Sequence, residues 1–274
     1  MAISIMTNTQ SLNAQRNLST TQMRMQGNLQ KLSSGLRVNS AADDAAGLAI
    51  SERFKAQIRS YAQAERNAND GISLLQTAEG AMNEIAGSLI RIRELAVQSA
   101  NGTLGSAERG FLNNEALDLQ EEIDRIAAVT QFNGLNLLDG TYVTDLQVGI
   151  NSTLNDRINV TISNTSFSTL TSGVAVDLTT QSGSQAALGT LDVAIDALST
   201  RRASLGTAQN RLQVTIANLA SVRENVTAAN GRIRDVDVAS ESAEMTKNNI
   251  LMQVGVSVLA QANQAPQIAL NLLK

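Results

Sequence analysis

The sequence contains no Cys, no Trp and no His, and one Pro in 274 residues. Without Cys there is no disulfide, no thiol nucleophile and no thiolate metal site. Without His there is no Ser-His-Asp triad, no imidazole base and no His-based zinc site. Four Phe and two Tyr leave aromatics at 2% of the chain. A globular enzyme of this size normally builds its core around more of them, because each buries a large area. Leu, Ile, Val, Ala and Met must therefore form the core, which suits long helices packed side by side. Ser, Thr, Asn and Gln fill about a third of the chain. The net charge of −4 offers nothing for nucleic acid. What remains for chemistry is carboxylates, Lys, Tyr and hydroxyls; no catalytic, cofactor-binding or metal-binding residues stand out, and the expectation is a protein that is not an enzyme.

Targeting signals are equally sparse. The chain is uncharged up to Gln15 and lacks the basic start and continuous apolar run of a Sec signal peptide. It is uncharged again from Asn248 to Leu273, long enough to cross a bilayer. Asn248, Asn249, Gln253, Gln261, Asn263, Gln264, Gln267 and Asn271 interrupt that stretch, so it reads as a partner-facing helix and not a membrane span. An extracellular protein of this kind would leave the cell without a cleaved signal.

What is present is helical periodicity. Leu188, Leu191, Ile195, Leu198, Arg202, Leu205, Gln209, Leu212, Ile216, Leu219, Arg223, Val226, Asn230 and Ile233 step by three and four without a break. A helix over 188–233 would be about 69 Å long. Its polar seam positions weaken packing but fix register; Arg202 and Arg223 should reach the seam edge and pair with carboxylates. A second seam runs through Leu75, Ala78, Met82, Ile85, Leu89, Ile92 and Ala96 and stops at Asn101-Gly102. A third runs through Leu112, Ala116, Leu119, Ile123 and Ile126. Helices over 58–100 and 106–129 thus read as a hairpin, with 188–233 as the third partner.

The two ends read as a separate pair. Leu18, Gln22, Met25, Leu29, Leu32 and Leu36 form one seam; Leu251, Val254, Val258, Ala262, Ala265 and Ala269 form the other. Both are poor in charge on faces that should be solvated, so these helices need neighbours beyond each other. The middle, about 131–187, differs. Asn133-Gly134 and Asp139-Gly140 mark turns. Residues 146–150 and 158–162 alternate with period two, which predicts a small β-hairpin. The Ser/Thr-rich stretch 163–185 reads as a loop or weak β structure on the surface of the helical frame. The expected fold class is mainly α: long antiparallel helices in coiled-coil-like bundles, with a β-hairpin insert.

Leu32 to Ile50 reads LSSGLRVNSAADDAAGLAI. Leu74–Gly80 (LLQTAEG), Arg93–Asn101 (RELAVQSAN), Phe132-Asn133-Gly134, Arg211-Leu212, Ile216–Leu219, Arg232–Asp235 and the tail from Ala260 to Leu273 follow in order. In these segments the chain resembles bacterial flagellin, over roughly 1–140 and 186–274. The resemblance implies that 1–42 and 235–274 form the inner tube of a helical filament, and that 43–234 form the outer-tube domain. It implies a short, two-domain type, because the middle is too small for a further core. It implies export in unfolded form through the flagellar type III channel, a passage made easier by one Pro and no disulfide. The implied partners are other copies of the chain, an export chaperone at the C-terminal helix, hook-associated and filament-cap proteins, and the host flagellin-sensing Toll-like receptor. The implied location is the extracellular filament. A hook–filament junction protein shares similar terminal helices; unlimited elongation by the purified chain separates the two.

Several residues carry two readings. Asp43-Asp44 is a metal-binding pair or a charge pair at a helix N-terminus; the resemblance adds a subunit contact. By the resemblance, Arg91, Leu95 and Gln98 match receptor-contact positions. Their 4,3 spacing puts them on one helix face, expected to be reachable in a free monomer. The plain alternative for Arg91, Arg93 and Glu94 is a solvated face with local ion pairs. Leu251, Val254, Val258 and Leu259 are the further subunit-contact candidates. Residues 161–190 carry either O-linked glycans or hydroxyls that satisfy nearby backbone.

Overall fold

A computed structural model describes residues 7–271, with side chains described as far as Gln264. Ala265 and Ala269 of the expected C-terminal seam fall outside the described side chains. The elements are α1 (Thr9–Ser34), α2 (Ala45–Ser99), α3 (Ser106–Val129), β1 (Gln131–Phe132), β2 (Leu135–Asn136), β3 (Val143–Gln147), β4 (Arg157–Thr161), α4 (Phe167–Leu170), α5 (Gln181–Arg234) and α6 (Val238–Asn271). Packing divides them into two units. One takes the chain up to Ile58 and from Glu224 onward; the other is Arg59–Arg223.

In the 59–223 unit the expected stripes form the core. Leu75, Ala78, Met82, Ile85, Leu89, Ile92 and Ala96 of α2 are all fully buried. From α5 come Leu191, Leu198, Leu205 and Leu212, spaced by seven, with Ala187 and Ala194 between turns. From α3 come Ala116, Ile123 and Ala127. Seven-residue spacing keeps each Leu returning to the same seam, so Leu and Ile can fill the interior without aromatic bulk. Arg223 does pair at the seam edge, its Nη1 2.8 Å from Glu65. Arg202 is half-buried and forms no ion pair among the described residues, so that half of the expectation fails.

Two helices begin earlier than the periodicity placed them. Asp44 Oδ1 accepts the Gly47 N–H at 2.8 Å and caps α2. Thr180 Oγ1 accepts the Gly183 N–H at 3.0 Å and caps α5. Those turns precede the apolar seams, so hydrophobic spacing could not reveal them.

In the centre, Asn133 and Gly134 have φ of 51° and 77° and close the two-residue turn between β1 and β2. Strands β3 and β4 pair antiparallel with Leu146 opposite Ile158. Strand β3 begins three residues before the expected 146–150 strand and β4 one residue before the expected 158–162 strand. The ladder stops at Gln147 because Val148 and Gly149 both donate to the Asp156 carbonyl at 2.9 Å. The Gln147 amide also donates to the carbonyls of Gly149 and Asn151 and turns the chain. Asn67 Nδ2 donates to the Gln147 carbonyl at 3.0 Å and fastens the hairpin to α2.

The stretch 163–185 corrects the sequence reading. It is a surface loop only in part: residues 172–175 stay exposed, but Phe167, Leu170, Val176 and Leu178 enter the core. Asp124 Oδ1 accepts the Phe167 N–H at 2.7 Å, and Asn113 Oδ1 accepts the Leu178 N–H at 2.9 Å. Buried Ser99 donates to the Leu178 carbonyl at 2.7 Å, and buried Ser184 donates to Ser99 Oγ at 2.9 Å. The polar composition hid four core side chains and a hydroxyl clasp joining α2, this segment and α5.

In the other unit α1 packs antiparallel on α6. Asn8 Nδ2 donates to the Ala262 carbonyl at 2.8 Å, while its Oδ1 accepts the Ser11 N–H and caps α1. The described seam of α6 is Met245, Asn248, Met252, Gly255, Leu259 and Ala262, stepping by three and four. This corrects the expected register, because Leu251, Val254 and Val258 face outward. On α1 the expected Gln22 and Leu29 are likewise exposed. Two features select the observed seam. Asn28 and Asn248 are both buried: the Asn28 oxygen accepts from Asn248 Nδ2 at 3.2 Å, and its nitrogen donates to Glu241 Oε1 at 3.1 Å. Gly255 also lets Leu18 approach so closely that an added Cβ would lie 3.3 Å from it.

Leu212→Ala should destabilise the 59–223 unit by about 2–5 kcal/mol. Leu178→Ala should fall in the same range although its neighbours are polar. Val214→Ala, on the exposed side of α5, should stay within about 0.5 kcal/mol. Chemical denaturation of the three variants tests whether 171–180 belongs to the core.

Candidate assembly surface

Helix α6 carries almost no charge past Lys247, and α1 can cover only one of its stripes. Several other described apolar residues of α6 stay in solvent. Leu251 is 46% exposed, Val254 52% and Val258 50%, with Ile250 and Val256 alongside. Leu12, Met23 and Leu29 of α1 are exposed too. An apolar face of this extent on a charge-poor helix pair marks an interaction surface. Leu259 differs from the other expected contact residues because it lies in the α1–α6 seam, half-buried.

Asp43 and Asp44 build the turn before α2. Asp43 Oδ2 accepts the Ser40 N–H at 2.8 Å, the Ser40 hydroxyl at 3.0 Å and the Asn39 N–H at 3.1 Å. These bonds, the Ser40 N–H first, hold the Asp43 carboxyl below its ordinary range. Asp44 is the α2 cap described above. Both carboxylates are occupied by backbone, which is the helix N-terminal reading of the pair. The same unit ties its strands of chain together nearby: Leu36 bridges Asp235, and Arg37 N–H donates to the Arg234 carbonyl at 2.7 Å. Gly35, with φ of 71°, ends α1 and makes that approach possible. Arg234 Nη1 in turn reaches Glu52 Oε1 at 2.7 Å.

Arg91, Leu95 and Gln98 do not form one open face. Arg91 and Gln98 are exposed, but Leu95 is 1% exposed and belongs to the core. The reason is that α2 packs against both α3 and α5. Its buried stripe widens to take in Leu95 beside Ile92, Ala96 and Ser99. Arg91 bridges α2 to α3, with Nη2 2.7 Å from Glu115 Oε1, and also reaches Glu94 at 3.0 Å. The Glu115 bond, then Glu94, raises the Arg91 pKa. Arg93 bridges α2 to α5, its Nε 2.6 Å from Asp192 Oδ1. Sequence spacing missed both bridges because their partners lie far along the chain.

The Arg93 guanidinium holds the Asp192 carboxyl below the usual carboxylate range. A depressed carboxylate adds stability above its unfolded pKa and loses it as pH falls through the lower folded value. In an NMR titration Asp192 should therefore inflect below ordinary Asp, and Arg93→Gln should return it upward. An Asp192 inflection unmoved by that substitution contradicts the bridge.

Residues 5–143 match the model of the bacterial flagellin N-terminal helical region, and residues 188–273 match that of the C-terminal helical region. Flagellin of Halalkalibacterium halodurans is 48% identical over 269 residues, spanning 97% of this chain and 98% of that one. The flagellar filament 33 kDa core protein of Treponema phagedenis is 43% identical, with 95% and 96% covered. The crystal structure of Bacillus cereus flagellin superposes with a TM-score of 0.51 at 33% identity, over 60% of this chain and 94% of that one. The paired terminal helices and the heptad-packed bundle meet these matches at both ends: the chain belongs to the bacterial flagellin family, a structural subunit of the extracellular flagellar filament and not an enzyme.

Proposed function

We propose that this filament subunit is exported unfolded through the flagellar type III channel, without a cleaved signal, and that 1–42 and 235–274 then form the inner tube while 43–234 form the outer tube. The observation that carries the reading is the uncovered apolar stripe Leu251, Val254 and Val258 on a helix whose other face α1 already occupies. Complete burial of such a side chain contributes about 1.5–3 kcal/mol, so covering the half of each that is still exposed contributes about half of that. In the filament that surface meets other copies, and before export it meets the chaperone. Asp43 and Asp44 hold the connecting turn in a zone of subunit contact. Hook-associated and cap proteins meet the same surface at the filament ends.

The same chain, as a free monomer, is a ligand of the host flagellin-sensing Toll-like receptor through Arg91 and Gln98, both open to solvent. Leu95 supports that site from beneath by packing and not by contact.

Deleting Gln253–Lys274 should abolish polymerisation while the 59–223 unit keeps its thermal transition; normal filaments from the truncated chain would sink the assembly reading. Replacing Leu251, Val254 and Val258 together by Ser should do the same without shortening the chain. For recognition, monomer but not intact filament should activate receptor-bearing cells. Arg91→Ala should weaken that signal with the fold retained, whereas Leu95→Ala should lower the melting temperature. Equal activation by non-shedding filaments would refute occlusion, and an undiminished signal from an Arg91, Gln98 double substitution would refute the site.

A further inference from the structure

A cavity of about 420 Å³ opens between β4 and α5 in the 59–223 unit. Met82 and Leu205 give it an apolar side, and Thr161, Ser163, Thr200 and Ser204 line the rest, with the Thr200 and Ser204 hydroxyls donated to the α5 carbonyls of Asp196 and Thr200. Arg201 enters from α5, half-buried. Its Nη1 donates to the Asn164 carbonyl, which fixes the plane of the guanidinium. Its Nε and Nη2 make no hydrogen bond among the described residues.

That free edge is the one this molecule uses to grip carboxylates. Arg91 presents Nε and Nη2 to Glu115 at 3.0 and 2.7 Å. Arg93 presents them to Asp192 at 2.6 and 3.5 Å. Arg125 presents them to Glu122, both at 2.6 Å. Arg201 has the same fork, held in place, with no carboxylate on it. Burial lowers the Arg201 pKa, with no acid to offset it. A half-buried cation without a counter-ion is less well solvated than a free one, and an oxyanion that accepts from two parallel N–H groups offsets that loss.

The geometry points to a binding site for an oxyanion, carboxylate or phosphate-like, on the Nε/Nη2 edge of Arg201. Two sources carry that chemistry: a free anion, or a carboxylate side chain of a second copy of this chain. The second source rests on the filament reading above and suits a chain with 25 acidic and 21 basic residues.

Two arms separate the sources. In the first, the full-length monomer is titrated with inorganic phosphate at constant ionic strength, and the Arg201 Nε–H resonance is followed by NMR. A free-anion site gives a saturable shift of that resonance, unmatched by chloride. In the second, the concentration needed for polymerisation is compared for the native chain, Arg201→Lys and Arg201→Gln. A neighbour's carboxylate predicts a rise of about tenfold for Gln and a smaller one for Lys, which keeps charge but loses the fork. Monomer melting temperatures should be unchanged, which separates the effect from misfolding. Should Arg201→Gln fail to fold, Arg201→Lys and Ser163→Ala carry the comparison. No saturable phosphate shift together with unaltered polymerisation overturns the site. A polymerisation defect with no saturable phosphate shift assigns it to the neighbour. If the native chain does not polymerise at all, the filament reading fails, and the phosphate arm alone decides the site.

Discussion

The structure depends on seven-residue spacing being kept on three helices at once. With so few aromatics, no single side chain fills much volume, and the core is assembled from Leu, Ile, Met and Ala in repeated layers. Leu191, Leu198, Leu205 and Leu212 of α5 meet Leu75 to Ala96 of α2, and α3 closes the third side. Each layer is modest, so stability comes from repetition along the helices. The arrangement also needs polar groups at the seam edge to hold register. Arg223 with Glu65, and Gln209 with Glu79 at 3.0 Å, occupy positions in the seam where apolar residues would pack with less orientation.

The α1–α6 pair solves a different problem with the same geometry. Its helices pack on one another while a second apolar surface of α6 stays uncovered. Two apolar stripes on α6 share nearly the same period, so hydrophobicity alone does not choose between them. Buried Asn28 and Asn248 choose, because placing either amide against a purely apolar stripe would leave it without a partner. Lys31 stands 3.9 Å from Glu241 at the same level and adds charge to that layer.

This is also where sequence reading succeeded and failed. The α2 stripe from Leu75 to Ala96 was legible because a polar face sits opposite it. The α6 register was not, because Leu251, Val254 and Val258 repeat as well as the true seam does. Leu95 was misplaced because seam counting assumes one partner per helix, and α2 has two. The stretch 163–185 hid its core residues because Phe167, Leu170, Val176 and Leu178 follow no period; non-local bonds to Asp124 and Asn113 place them. Arg201 carried no signal at all, since its role comes from the turn of β4 into Asn164.

The hydroxyl clasp of Ser99, Ser184 and the Leu178 carbonyl has a consequence for a broken chain. Ser172 and Val174 are exposed, and Ser172 and Gly173 adopt left-handed φ of 55° and 78°. A protease can reach that bend, yet Leu170 before it and Leu178 after it are both anchored in the core. A cut there leaves two segments of the 59–223 unit that stay folded together, held by the same layers and the same clasp, so that unit keeps its fold after its backbone has lost continuity.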